Sequence, residues 1–205
     1  PGGCPSRGPA IGYSSSGQRA FWLVVTVCVG GMLGRKWEAA FVFTDRDWAG
    51  DRDIRKSTSG GAILVGDHCL CTWSTTQSAI ALSSAEAELH GLYKAASEGL
   101  AAANMTRELY RPMALRLLTD SSAARGMLGR IGAGRVRHIQ AQFLWVQERL
   151  REKAFALHKV GTNTNPGDLG TKPPTKDALD RLLPLAGCGP SRVTPAPEYQ
   201  AARVR

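Results

Sequence analysis

The chain has 205 residues, which is room for one domain with extensions or for two small ones. Hydrophobic residues make up 43% of it and charged residues 21%, which excludes wholesale disorder, a collagen-like chain and a polytopic membrane protein. The net charge of +9 favours polyanionic partners such as nucleic acid, although a generally basic proteome would give the same charge.

Residues 1–37 form an N-terminal extension to which the sequence assigns no domain. They contain a strongly apolar run, residues 20–34, which is short for a transmembrane helix of roughly twenty residues. The run resembles the apolar part of a signal peptide, but Gly30, Gly31 and Gly34 weaken a helix and no tidy cleavage site follows. We therefore expect an intracellular protein, cytoplasmic or nuclear, without a stable membrane partner. A targeting segment and an extension without function are the alternatives.

The five cysteines are interpreted as free thiols in a reducing compartment. Their number is odd, and Cys69 and Cys71 are too close together for the usual metal-binding spacing. These two residues are predicted to point to the same face of one strand.

Alternating apolar runs and turn residues define the secondary structure from residue 38 onward. The pattern predicts strands over residues 39–44, 58–66 and 69–75, with a hairpin connection between the second and the third. A capping box that begins at Ser83 starts a long helix over about residues 84–110. Next come a strand over 114–119, a short helix ending near Gly129, a helix over 136–152 and a strand over 154–160.

Three strands followed by alternating helices and strands predict an α/β fold with a mixed sheet flanked by helices. We place this domain at residues 38–175. Residues 176–205 are interpreted as a helix remnant followed by a loose tail, because residues 186–205 carry Gly, Pro and Arg.

Four acidic residues stand where acids are otherwise unfavourable in a fold. Asp45 and Asp120 each follow an apolar strand, Glu88 lies one turn into the long helix, and Asp168 follows a turn. If the strands before Asp45 and Asp120 are neighbours, both side chains converge at one edge of the sheet, and the helix can bring Glu88 there. Clustered carboxylates raise one another's pKa unless a cation compensates, and oxygen ligands suit Mg²⁺ or Mn²⁺. Taken singly, each acid is better explained as a helix cap or a solvated strand end, whereas the four together in a basic chain favour a catalytic site.

Three stretches at this spacing resemble the ribonuclease H domain of copia-type long-terminal-repeat retrotransposon Pol polyproteins. They are residues 44–50 (TDRDWAG), 55–61 (RKSTSGG) and 81–89 (ALSSAEAEL), with weaker matches at 119–121, 137–139 and 167–172. The resemblance covers about residues 40–175 and implies a ribonuclease H-like fold with a five-stranded mixed sheet. It also implies metal-dependent endonucleolytic hydrolysis of the RNA strand of an RNA–DNA hybrid during reverse transcription. The implied partners are the hybrid and a reverse transcriptase domain of the same polyprotein.

The same resemblance assigns catalytic and metal-binding roles to the four acids. It places two Mg²⁺ ions, with Mn²⁺ as the alternative, among Asp45, Glu88, Asp120 and Asp168. We choose Glu88 over Glu86, because residues two apart on a helix cannot face the same way and Glu86 is accounted for as part of the cap. His138 matches a histidine that aids proton transfer or product release in related nucleases. Capping a helix and contacting a phosphate are its alternatives.

Residues predicted to contact the hybrid carry guanidinium, hydroxyl or amide groups. They are Arg130, Arg135, Arg137, Arg149, Arg151, Ser83, Ser84 and Gln77. The arginines would track phosphates and give a salt-sensitive affinity without sequence preference, although a solvated helix face explains some of them equally well. Trp48 and Trp73 are interpreted as packing residues rather than as stacking platforms.

Some motif positions depart from the family pattern, with Ser121 after the third aspartate, Gln140 after the His-Ile pair and Gly170 after Asp168. Gly170 weakens the helix that is expected to hold Asp168.

The alternative function is a catalytically inactive or repurposed nucleic-acid-binding fragment of a copia-type polyprotein. The chain is interpreted as a piece of a polyprotein, since it carries no reverse transcriptase, integrase or protease signature, and its sequence leaves the oligomeric state open.

Overall fold

A computed structural model describes residues 38–50, 55–66, 68–109, 112–130 and 141–188. Within these ranges the chain forms five strands, β1 (Ala39–Arg46), β2 (Thr58–Val65), β3 (His68–Thr76), β4 (Ala114–Thr119) and β5 (Ala156–Lys159). Four α-helices accompany them, α1 (Ser84–Leu109), α2 (Ser122–Leu128), α3 (Ala141–Arg151) and α4 (Lys176–Leu185). Two short 3-10 turns, Thr162–Thr164 and Pro166–Gly170, lie between β5 and α4.

The five strands form one mixed sheet in the order β3-β2-β1-β4-β5. The first three strands pair antiparallel, whereas β4 is parallel to β1 and β5 is parallel to β4. A long helical crossover separates β1–β3 from β4, as a parallel connection requires. A five-stranded mixed sheet flanked by helices is the ribonuclease H-like fold that the resemblance implied, and this prediction is confirmed.

Helix α1 packs against the sheet through leucine, alanine and glycine residues. The apolar side of the helix is formed by Leu89, Leu92, Ala95 and Ala96, all of them buried. A Cβ atom built on Gly99 would lie 2.9 Å from the Val42 side chain on β1, so only glycine fits the helix–sheet contact there. The larger core cluster lies on this side and includes Phe143 and Val146 of α3. A smaller cluster on β1, β2 and β4 contains Phe41, Phe43 and Leu118.

Helix α4 packs against the 3-10 turns. Thr175 caps its first turn, with its hydroxyl oxygen accepting a hydrogen bond from Ala178 N at 3.3 Å. Leu182 is fully buried, and Arg181 Nε donates to Asn163 O at 3.0 Å. The helix predicted as a remnant beyond residue 175 therefore contacts the turns that carry Asp168.

Two expectations about single residues are wrong. Cys69 and Cys71 face opposite sides of β3, because a bulge at Leu70 pairs Cys69 with Leu64 and Cys71 with Ile63. Trp73 is buried as expected, but Trp48 is 53% exposed.

None of the helices among the described residues combines the length and the apolar character needed to cross a membrane. The apolar run at 20–34 lies outside these residues.

Candidate metal centre

The parallel pairing of β1 and β4 brings two of the predicted acids to the same edge of the sheet. Phe43 pairs with Leu118 in this ladder, and the same register two residues further on places Asp45 beside Asp120. Asp45 is still within β1, which extends two residues further than expected, and Asp120 directly follows β4. Both side chains are partly buried.

Helix α1 supplies the third acid from above the sheet. Ser83 caps the helix, with its hydroxyl oxygen accepting from Glu86 N at 3.2 Å, while the Glu86 carboxylate accepts from Leu82 N at 2.8 Å. Glu86 therefore belongs to the cap, as predicted. Glu88 lies on the helix face that continues through Gly91 and Ala95 toward the sheet, and its side chain is only 12% exposed.

The three carboxylates converge closely enough to share a metal ion. One oxygen each from Asp45, Glu88 and Asp120 lies within 4.8 Å of the other two. Carboxylate oxygens are the ligands that Mg²⁺ and Mn²⁺ prefer, and a cation relieves the repulsion among three acids held in a partly buried place. The donor set therefore fits a hard divalent cation.

The pKa values of two of these acids show how unfavourable their charges are without a cation. The pKa of Asp45 is raised to about 7, first by burial and then by the charges of Asp120, Asp168 and Glu88, against the backbone hydrogen bond from Arg46. Burial also raises the pKa of Glu88 to about 7; the nearby Arg46 guanidinium lowers it, and Asp120 adds a smaller repulsion. Such shifts are typical of functional sites, although structural networks also cause them.

Asp168 lies beside this trio and is joined to it by Thr171. The buried Thr171 hydroxyl lies 3.3 Å from Asp45 Oδ2 and 3.2 Å from Asp168 Oδ1. The carboxylate of Asp168 also pairs with Lys172, whose Nζ is 3.3 Å from Oδ1. Asp168 is therefore held next to Asp45 by protein contacts of its own.

The turn that carries Asp168 is fixed directly onto the centre of the sheet. Asn165, which is 1% exposed, donates from Nδ2 to Thr44 O at 2.9 Å and accepts from Gly167 N at 3.1 Å. A Cβ on Gly170 would lie 2.6 Å from Trp73 O, so the close approach requires glycine. The helix expected to hold Asp168 is a short 3-10 turn that ends at Gly170, and the missing side chain of this glycine lets the turn dock.

Arg46 is a site residue that sequence reasoning missed. Its Nε lies 3.1 Å from Glu88 Oε1, and both side chains are almost fully buried, at 13% and 12% exposure. Its guanidinium also donates to Ser84 Oγ. Asn165 and Thr171 were also missed by sequence reasoning. The Asn-Pro-Gly turn, which places Asn165 directly before a helical start, could have indicated Asn165.

The residues predicted to contact nucleic acid have different surroundings. Arg130 and Arg151 are exposed. Arg149 is paired with two acids of its own helix segment, with Nη1 2.8 Å from Glu152 Oε2 and Nη2 3.7 Å from Glu148 Oε2. Its positive charge is therefore largely compensated.

The hydroxyl and amide residues of that set are engaged within the protein. Ser83 forms the helix cap, and Ser84 accepts from Arg46. Gln77 is 7% exposed, and its Nε2 donates to Ser59 Oγ at 2.8 Å and to Ala87 O at 2.9 Å. Gln77, which directly follows β3, thus links β2 to α1, and we leave it out of the nucleic-acid interface proposed below. His138, Arg135 and Arg137 lie outside the described residues, and their roles stay predictions.

The comparisons with known proteins point to the Pol polyproteins of retrotransposons. The chain is 27% identical over 147 residues to the retrovirus-related Pol polyprotein from transposon TNT 1-94 of Nicotiana tabacum, covering 71% of this chain and 11% of that protein. It is 26% identical over 159 residues to the corresponding polyprotein from transposon RE1 of Arabidopsis thaliana, covering 75% of this chain and 11% of that protein. The predicted resemblance to retrotransposon Pol proteins is thereby confirmed.

The chain spans about a tenth of the length of these relatives. No protein-family model matches it. Among solved structures, the N-terminal RNase H domain of a Mycobacterium tuberculosis protein, fused to maltose-binding protein, aligns with 70% of this chain and 94% of its own, at 15% identity and a TM-score of 0.40.

Proposed function

We propose that the domain is a metal-dependent ribonuclease that cuts the RNA strand of an RNA–DNA hybrid. The observation that carries this proposal is the meeting of Asp45, Glu88 and Asp120, whose oxygens lie within 4.8 Å of one another at the edge of a ribonuclease H-like sheet. Sequence similarity to retrotransposon Pol polyproteins supports reverse transcription as the setting, with a reverse transcriptase domain as the natural partner.

The protein groups have distinct roles in this proposal. Asp45, Glu88 and Asp120 would hold Mg²⁺, with Asp168 beside them as a fourth acid. Bound divalent ions in such sites activate water and stabilise charge on the phosphate. Thr171 holds Asp45 in place with its hydroxyl, and Thr162 does the same for Asp120, donating to Oδ2 at 2.9 Å. A rigid first set of ligands limits the reorganisation that the reaction would otherwise require.

Sequence-independent binding of the hybrid follows from charge. Arg130 and Arg151, which follow Asp120 in the chain, are exposed and would contact the phosphates. The side chain of Trp48, three residues after Asp45, is exposed as well. Arginines that contact phosphates read no bases, so we expect the hybrid to be recognised by shape and by its 2′-hydroxyl groups.

The test is cleavage of an end-labelled RNA–DNA hybrid by the full chain with Mg²⁺. Asp45→Asn should lower the cleavage rate at least 100-fold, because it removes one of the three converging carboxylates, while hybrid binding stays within about threefold. Asp180→Asn removes an exposed acid of α4 and is the matched control, which should cut like the wild type. Duplex DNA and duplex RNA of the same sequence should remain uncut.

The alternative, an inactive nucleic-acid-binding fragment, makes the opposite prediction. In that case the wild type and Asp45→Asn bind the hybrid equally and neither cuts it, with Mg²⁺ or with Mn²⁺. Cleavage that persists in Asp45→Asn would also overturn the proposal, because the activity would then come from elsewhere.

A further inference from the structure

A fixed positive charge already lies against the candidate metal centre. Arg46 follows Asp45 directly on β1, and its Nε is 3.1 Å from Glu88 Oε1. The exposed fractions of the two side chains, 13% and 12%, place this ion pair largely out of water. A second contact to Ser84 Oγ at the start of α1 anchors the guanidinium.

Arginine side chains are permanent cations in proteins. A divalent ion that shares Glu88 with Asp45 and Asp120 would therefore lie within a few ångströms of the guanidinium. Charges at such distances interact strongly when solvent screening is limited. The ion must either bind against this repulsion or displace Arg46 from Glu88.

We propose that Arg46 is a resident counter-cation of Glu88 that competes with divalent metal ions and weakens their binding to the acid trio. This inference rests on the metal-dependent function proposed above. It makes Arg46 a residue that sets the metal concentration at which the site fills. The opposite role is also physically sensible, since an arginine that orients Glu88 would strengthen metal binding.

Metal affinity separates the two roles without relying on activity. Mn²⁺ is titrated calorimetrically into the metal-free full chain at pH 8, in the wild type, Arg46→Met and Arg46→Gln. Methionine retains an unbranched side chain and loses both charge and hydrogen bonds, whereas glutamine loses the charge but can still donate to Glu88 and Ser84. Competition by charge predicts that both variants bind Mn²⁺ at least tenfold more tightly than the wild type.

Three controls accompany this titration. Arg46→Lys keeps the charge and should bind Mn²⁺ within about threefold of the wild type. Lys94→Met removes one positive charge from the surface ion pair with Glu98 on the same helix, and its affinity should be unchanged. Adding Asp45→Asn to Arg46→Met should abolish the tight binding, which assigns the measured heat to this site.

Removal of Arg46 leaves Glu88 without its partner, so the fold is checked by circular dichroism. If Arg46→Met unfolds without metal, Arg46→Gln carries the test. Affinities in the neutral variants that equal the wild-type value, or fall below it, overturn the proposal, and a fall identifies Arg46 as a positioning residue. Absence of Mn²⁺ binding in every variant overturns it too, together with the metal centre itself.

The nuclease proposal can fail separately. If the neutral variants bind Mn²⁺ more tightly but no variant cuts the hybrid, the competing role of Arg46 stands and the enzymatic function does not. If the wild type cuts the hybrid but the neutral variants bind Mn²⁺ no more tightly than it does, the enzymatic function stands and the competing role of Arg46 does not.

Discussion

Asp45 and Glu88 carry the least favourable charges among the described acids of the site. Burial and the charges of neighbouring acids raise the pKa of each to about 7, from ordinary values of 3.8 and 4.5. The folded protein therefore binds protons between about pH 4 and pH 7 that the unfolded chain has already released. These two acids therefore lower the stability as the pH rises through this window, because each binds more protons in the native state than in the unfolded state.

The expected result is a metal-free protein that is less stable at pH 8 than at pH 5.5. For these two sites the difference is on the order of a few kcal/mol, or at least 5 °C in the midpoint of thermal unfolding. Circular dichroism melts in EDTA measure it. Asp45→Asn should reduce the difference, since an amide does not titrate, whereas Asp180→Asn should preserve it. A difference of the same size in the wild type and in Asp45→Asn would show that Asp45 ionises freely in the folded protein.

Thr171 illustrates which site residues a sequence cannot reveal. Its hydroxyl lies within hydrogen-bond distance of two acids, one of them 126 positions away in the chain. A single threonine carries no periodicity or charge pattern, so its role appears only when the turn folds back on β1. Asp45, Glu88 and Asp120 were different, because acids at strand ends or on an inward helix face conflict with burial and thus attract notice.

The position of Asp168 depends on how the Pro166–Gly170 turn packs against the sheet. A Cβ at Gly60 of β2 would lie 2.4 Å from Gly167 O, a backbone atom that cannot move without shifting the turn. Gly60 is also the residue paired with Asp45 across the β1–β2 ladder. One added methyl group therefore disturbs the turn and the strand next to Asp45 together.

We predict that Gly60→Ala destabilises the fold by roughly 1–3 kcal/mol and lowers the affinity for Mn²⁺. Gly126→Ala is the matched control, because a Cβ at that position in α2 meets nothing within 4 Å. In a helix this change should stabilise by about 0.5–1 kcal/mol. Urea unfolding and metal titration of both variants check the prediction. A Gly60→Ala protein as stable as the wild type would mean that the turn is not tightly docked.

At the level of elements, the hydrophobic pattern predicted all five strands and the long helix to within two residues. It succeeded because β1, β2 and β4 are mostly buried apolar runs between turn residues and α1 begins at a capping box. It failed where a tertiary contact decides the local geometry. The bulge that separates Cys69 from Cys71 is a property of the β2–β3 pairing, and the exposure of Trp48 depends on how the loop after β1 leaves the sheet.

At the scale of the whole molecule, Asp45 and Asp120 come together because β1 and β4 are adjacent parallel strands. From the sequence, the adjacency of these two strands had to be assumed, because the hydrophobic pattern does not determine strand order. The family resemblance supplied the missing information about topology. The resident cation Arg46 escaped notice for the opposite reason, because an arginine beside an aspartate on a strand is expected to point away from it.

The net charge of +9 should govern how the whole molecule binds a hybrid, and it predicts a steep loss of affinity with salt. Fluorescence anisotropy between 50 and 300 mM KCl, in EDTA to prevent cleavage, gives the slope of log K against log salt concentration. Arg151→Gln should reduce that slope by roughly one, as expected for one lost phosphate contact. Arg149→Gln should change it less, because the Arg149 guanidinium is already paired with Glu148 and Glu152. A flat salt response in the wild type, or equal effects of the two variants, would remove α3 from the nucleic-acid interface.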